Sequence, residues 1–177
     1  METLYYQIWE SPIGPLFLAA SDRGLVKLEF HWKKDRRRIP EAKGQRPLAH
    51  GEDWVESDAK LRPYRRQLEE YFAGKRHEFT FALDLRGTDF QQRCWRALLD
   101  IPYGETRTYA QIARRVGRPQ AFRAVGGANH DNPIAIVVPC HRVIASDGTL
   151  GGYGGGLPLK EKLLLLEGAP LQTRLAL

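Results

Sequence analysis

The chain of 177 residues carries 27 Lys and Arg against 21 Asp and Glu, a formal net charge of +6, with 42% hydrophobic and 27% charged residues. That length holds one good core or two small ones, and the composition is that of a soluble globular protein. No run approaches the length of a membrane span, and the first residues lack a basic stretch followed by an apolar one, so a cytoplasmic protein with no membrane partner is expected. Two cysteines, Cys94 and Cys140, are too few for a disulfide framework. With five histidines they show no CxxC or HxxxH spacing, so neither a metal nor another cofactor is expected. The positive excess lies mostly in the second half: residues 87–177 hold 11 Lys and Arg against 7 Asp and Glu, and residues 1–86 hold 16 against 14. That balance is compatible with nucleic acid without establishing it.

The first 30 residues read as a β-meander. Residues 4–9 and 15–20 are apolar-rich runs separated by a turn at residues 11–14, and a second turn at residues 21–24 leads into the alternating run 25–30. Residues 33–53 are polar and read as a solvated surface loop. Ser57 or Asp58 can cap a helix in which Leu61, Tyr64, Leu68 and Phe72 recur at helical spacing, with Gly74 as its stop. Phe79, Phe81, Leu83 and Leu85 alternate with polar or small residues as a strand would. Arg86, Gly87 and Thr88 precede a change to helical periodicity and place a domain boundary there. Residues 1–86 hold no catalytic constellation and read as a scaffold domain.

From Asp89 the pattern is helical, and Phe90, Cys94, Ala97 and Leu98 share one face, which makes Cys94 a small core residue. Pro102 and Gly104 break that helix. Residues 108–116 form the next, ended by Gly117. A third opens with Pro119 in its first turn and stops before Asn132 and Pro133. Two short helices joined at a glycine have helix-turn-helix proportions. Gly126 and Gly127 inside the second helix cost roughly 1 kcal/mol each relative to alanine. Ala121, Ala124, Gly126, Gly127 and Ala128 leave a nearly bare surface from which Arg123 projects. A helix that reads base edges carries several Asn, Gln, Arg or Ser side chains. This one is built to lie flat and insert one side chain; the competing reading is tight packing against another helix.

The five apolar residues 134–138 read as a buried strand that breaks at Pro139 and delivers Cys140 and His141. Residues 148–156 hold six glycines around Tyr153, a lid able to bring backbone amides against a flat ligand. Residues 159–167 form a last helix closed by Gly168 and Pro170. Glu167 shares the inward face of Leu163 and Leu164 and sits where the helix dipole disfavours an anion by ~0.3–1 kcal/mol. A carboxylate placed there needs a partner, either His141 or an arginine.

The run Pro-Cys-His-Arg-Val at 139–143, the helix-turn-helix with Arg123, Asn132 before Pro133, the glycine loop with Tyr153, and Glu167 together resemble the O6-alkylguanine-DNA alkyltransferases. The resemblance spans roughly residues 88–168 in matching order and spacing. It implies an α/β (α+β) fold: a small antiparallel β-sheet domain with a helix over residues 1–86, then a mostly helical domain over residues 87–177. The second domain would contain the helix-turn-helix and a short buried strand leading to the active-site cysteine. By the same resemblance Cys140 is the alkyl acceptor, His141 the base that deprotonates it through a water, Glu167 the residue that orients His141, and Asn132 the hinge to the helix-turn-helix. Tyr109 matches the tyrosine that crowds the target phosphate, Tyr153 the donor to O6 of the leaving guanine, and Lys160 a lysine beside the pocket. Val143 and Gly154 complete the substrate-binding set. Arg123 matches the arginine that fills the gap in the DNA stack, with Ala121, Phe122, Gly126, Gly127 and Asn129 on the same DNA-binding helix. Phe122 stands where a small residue is common, and the N-terminal zinc ligands of some relatives have no counterpart.

The chemistry agrees. A free thiol with a pKa of ~8.5 is only about 3% ionised at pH 7, so attack on a saturated carbon needs a base, which an imidazole oriented by a carboxylate supplies. The thioether formed has no bond that water readily cleaves, so each molecule reacts once. The expected partner is double-stranded DNA bearing O6-alkylguanine, and O4-alkylthymine as well. It would be approached from the minor-groove side by a monomer, with the damaged nucleotide flipped out. Three other readings compete: a lesion-binding relative without transfer activity, a helix-turn-helix transcription regulator, and a cysteine hydrolase. The acceptor thiol, the bare helix and the lack of an oxyanion arrangement respectively argue against them.

Overall fold

The structure, a computed structural model, describes residues 2–31 and 52–171. The chain divides into two compact units, Met1–Leu85 and Arg86–Leu177. Most of the polar run 33–53 lies outside the described residues. Strands and helices both contribute, and the class is α/β.

In the first unit the meander forms β1 (Glu2–Ser11), β2 (Gly14–Ser21) and β3 (Gly24–Phe30), paired antiparallel in sequence order. A further strand absent from the sequence reading, β4 (Glu52–Glu56), adds in parallel beside β1, giving the order β3-β2-β1-β4. Its Trp54 joins Tyr6 and Phe17 in an aromatic cluster, with ring centroids 6.3 and 6.2 Å away. Helix α1 (Asp58–Phe72) is capped by Ser57, whose side chain accepts from the Lys60 N–H, and it buries Leu61, Leu68 and Tyr71. The inward position is thus taken by Tyr71, not Phe72.

The strand expected across Phe79 to Leu85 does not form. Leu83 makes one isolated bridge to Leu25, while the Thr80 N–H is taken by the Gln67 side chain of α1 at 2.9 Å. A backbone donor satisfied by a helix side chain is withdrawn from any ladder, which limits pairing to a single rung.

The second unit is built on α2 (Asp89–Leu99), α3 (Tyr109–Arg115), α4 (Phe122–His130) and α5 (Leu157–Leu166). Thr88 with Gln91, and Thr108 with Gln111, form reciprocal capping boxes that start α2 and α3. Cys94, Trp95, Ala97 and Leu98 are the buried face of α2, and the Trp95 indole donates to the Ala128 carbonyl of α4 at 2.8 Å. Helix α4 begins three residues after Pro119. The Ala121 N–H bonds the Arg118 carbonyl at 2.8 Å, so Pro119 occupies a tight turn and not a helical first turn.

The buried strand expected at residues 134–138 is corrected too. All five residues are buried, but they coil. The Val137 N–H reaches back to the Ala135 carbonyl at 2.8 Å around Ile136, whose φ is 71°. Pro139, at φ −82° and ψ 65°, closes a second such turn from the Cys140 N–H to the Val138 carbonyl at 2.8 Å. Positive φ on a β-branched residue is strained and persists only where the surroundings hold it. The strand near Cys140 follows it instead: β6 (Val143–Ile144) pairs in parallel with β5 (Arg107–Thr108), which leads into α3.

Candidate active site

Cys140, His141 and Arg142 form one 3-10 turn between the coiled apolar segment and β6, and all three are buried. Asn132, two residues after α4 ends, holds that turn in place. Its Oδ1 accepts from the Ile134 N–H at 3.0 Å, and its Nδ2 donates to the Val138 carbonyl at 2.7 Å and to Cys140 Sγ at 3.2 Å. One amide therefore ties the end of the helix-turn-helix to the coil and to the sulfur.

Glu167 caps the C-terminus of α5 and is 5% exposed. Its carboxylate accepts from His141 Nε2 at 2.7 Å on Oε1, from Arg142 Nε at 2.8 Å on Oε2, and from Arg142 Nη2 at 3.0 Å on Oε1. Both partner types left open by the sequence, the histidine and an arginine, are present at once. Burial alone would raise the Glu167 carboxyl, but the hydrogen bonds and charges of His141 and Arg142 outweigh it and hold its pKa at about 2. Burial lowers the His141 pKa, opposed by Glu167 and reinforced by Arg142 and Lys160, so the ring is neutral at pH 7. Burial likewise raises the Cys140 thiol, against the Asn132 hydrogen bond and the Lys160 charge. At rest the sulfur carries its proton, and ionisation requires a base. The turn at Gly104, where φ is 79°, passes so close that a side chain there would meet the Glu167 carbonyl at 2.8 Å.

Cys140 opens on a pocket of about 430 Å³, lined also by Tyr109, Gly126, Asn129, Tyr153, Gly154, His130 and Gly152. The last two are not among the site residues the sequence pattern singles out; His130 follows Gly126 by four residues and so shares its helical face. The glycine loop folds over Tyr109: a side chain at Gly151 would meet that ring at 3.1 Å. Behind the loop Lys160 is fully buried, donating from Nζ to the carbonyls of Val143 at 2.6 Å, Gly152 at 3.2 Å and Leu150. Burial pulls its pKa down to about 8. Burial, with the nearby Cys140 and Glu167, raises the Tyr153 pKa well above its ordinary value, so that hydroxyl remains a donor.

Ala121, Phe122, Arg123 and Gly127 do not line the pocket. Ala121 is the half-buried cap of α4, while Phe122, Arg123 and Gly127 are exposed on the helix, and Val125 and Ala128 form its buried side. A methyl group at Gly127 would find nothing within 4 Å, and one at Gly126 only the Tyr109 ring at 4.0 Å. Tight packing against another helix of this unit is therefore not what the glycine pair serves. Arg114 and Arg118 add exposed positive charge to the same helix-turn-helix.

The DNA-binding domain profile of 6-O-methylguanine DNA methyltransferase matches residues 89–169, and the ribonuclease-like domain profile of the same family matches residues 4–85. A methylated-DNA–protein-cysteine methyltransferase of Methanosarcina barkeri is 52% identical over 164 residues, covering 93% of this chain and 97% of that protein. One of the same description from Mycobacterium tuberculosis is 49% identical over 93% of this chain and 92% of that protein. Among solved structures, Mycobacterium tuberculosis OGT in complex with DNA superposes with a TM-score of 0.79 at 49% identity, covering 94% of this chain and 95% of that one. With both units matched by one family and about half of the aligned positions identical to relatives of that description, the chain belongs to the 6-O-methylguanine DNA methyltransferase family.

Proposed function

We propose that this protein repairs DNA by direct reversal: it moves the alkyl group of O6-alkylguanine, and of O4-alkylthymine, onto Cys140 and is consumed in the act. The observation that carries the reading is a buried thiol at the wall of a base-sized pocket, bonded to Asn132 and adjacent to a histidine that Glu167 orients.

The exposed face of α4 lies against double-stranded DNA from the minor-groove side, and Arg123 fills the space the extruded nucleotide leaves. The base enters the pocket between α4 and the glycine loop. His141 takes the thiol proton through a water, and the hydrogen bond from Asn132 steadies the thiolate that results. Sulfur attacks the saturated carbon from the side opposite O6. The S–C bond forms as the C–O6 bond breaks, and the electron pair passes to the guanine ring. The proton lost from sulfur is regained at guanine, with the Tyr153 hydroxyl donating to O6. The products are unmodified guanine and a Cys140 thioether. No imine or ester is formed, so no step returns the thiol. Lys160 holds the loop by its carbonyls, and its charge lies near the developing thiolate.

No helix among the described residues is long and apolar enough to cross a membrane. A cytoplasmic monomer acting without metal or cofactor completes the proposal. The test is transfer of label from duplex DNA carrying labelled O6-methylguanine: one equivalent at most on the Cys140 peptide is expected. Repeated turnover, or label retained by Cys140→Ala, overturns the mechanism.

A further inference from the structure

Arg142 has no role in the transfer described so far, yet it is 7% exposed and commits its whole guanidinium to the interior. Nε and Nη2 grip both oxygens of Glu167, Nη1 donates to the Ile101 carbonyl at 2.6 Å, and the cation lies over the Tyr103 ring at 5.8 Å from its centroid. The Tyr103 hydroxyl in turn donates to the Leu166 carbonyl at 3.1 Å, at the end of α5. A bidentate arginine on a carboxylate fixes its plane as well as its charge.

We infer that Arg142 is a positioning residue for alkyl transfer: by sharing Glu167 with His141 it fixes the imidazole as the Nε2–H tautomer and leaves Nδ1 as the bare acceptor that receives the thiol proton. The inference rests on the transfer reading above and adds to it how the base is kept competent.

The reasoning is one of hydrogen-bond capacity and charge. A carboxylate held ionised by a guanidinium offers acceptors only, so the ring nitrogen 2.7 Å from Oε1 is the one that carries hydrogen. His141 Nδ1 is buried and makes no hydrogen bond within the described residues, as a base awaiting its proton would. The charged groups acting on the ring are Arg142 from its own turn and Lys160 and Glu167 from α5 and its cap; Cys140 precedes it in the turn, and the hydroxyls of Tyr103 and Tyr153 lie near Glu167. Glu167 and Arg142 cancel, and Lys160 opposes a further cation, so the buried cluster favours a neutral imidazole. Without the guanidinium, Glu167 would face the ring as an uncompensated anion and draw a proton onto it. An imidazolium has no lone pair with which to take the Cys140 proton.

The experiment follows the single-turnover transfer rate from labelled duplex across pH for the wild-type protein, Arg142→Met and Arg142→Lys, with circular dichroism confirming that each is folded. For Arg142→Met the acid limb of the profile moves to higher pH, by on the order of one unit. Arg142→Lys keeps the charge without the fork and recovers most of that shift. A purely structural role predicts the same fractional loss at every pH with the limb unmoved, and that result overturns the inference. A second readout needs no variant at position 142. Nitrogen-15 spectra of the wild-type protein, assigned against His141→Gln, show Nε2 protonated and Nδ1 bare at pH 7; a proton on Nδ1 at that pH overturns it too. Failure of the wild-type protein to transfer label defeats the functional reading itself, whereas transfer with an unmoved limb defeats only the part given to Arg142.

Discussion

Replacing Gly127 by alanine separates what the free protein needs from what its partner needs. Gly127 lies inside α4 with helical backbone, and a methyl group added there meets no atom within 4 Å. Glycine in a helix interior is less favourable than alanine by about 1 kcal/mol, largely because the unfolded chain is freer. With no clash to oppose it, Gly127→Ala should stabilise the protein by that amount, a rise of roughly 2–4 °C in Tm for a chain of this length. Gly127 also follows Arg123 by four residues, so the two share an exposed face. If that face presses on the duplex, the added methyl overpacks the contact by about 1–3 kcal/mol, a loss of roughly 5- to 150-fold. The assay is thermal unfolding beside single-turnover transfer from duplex DNA and from an O6-alkylguanine free base. Expected are a more stable protein, slower repair of duplex and an unchanged rate on the free base. Repair of duplex at the wild-type rate would refute the placement of α4 against DNA, and destabilisation would show that the glycine serves the protein's own packing.

Two further outcomes follow from the site. The Glu167 carboxyl is held at about 2 against an ordinary value of 4.5, so the stability it confers is present above pH 4.5 and lost as pH falls through about 2. The gap in urea stability between wild type and Glu167→Gln should reach about 3 kcal/mol at pH 7 and close toward pH 2; a gap independent of pH would contradict the ion pair. Arg123→Ala should slow repair of duplex DNA far more than reaction with a free base, because only the duplex requires a nucleotide to be displaced. Equal losses on both would remove Arg123 from that role.

Much of the architecture could be read from short windows. The meander, α1 with its Ser57 cap, and the breaks at Gly104 and Gly117 each depend on residues within a few positions of one another. The two capping boxes are written locally by the same rule, Thr followed three residues later by Gln. The errors have a common source as well. Phe79 to Leu85 alternates like a strand, but Gln67 takes the Thr80 N–H. Residues 134–138 have the composition of a buried strand, and they are buried; only the packing around Ile136 holds its φ at 71°. Pro119 looked like a helix start and serves a turn.

For the site, the one-dimensional pattern placed a thiol beside an imidazole and marked Glu167 as a carboxylate in want of a partner. It could not say that His141 and Arg142 would both answer, 26 and 25 residues away, or that Lys160 would reach back to the Val143 carbonyl of β6 and to two carbonyls of the glycine loop. Periodicity, caps and turns are local hydrogen-bond problems, solved by neighbouring residues and therefore written in their order. The tautomer of a buried ring, the charge on a buried acid and the depth of a pocket depend on which distant groups share a volume that water has left, and that is settled only when the chain closes on itself.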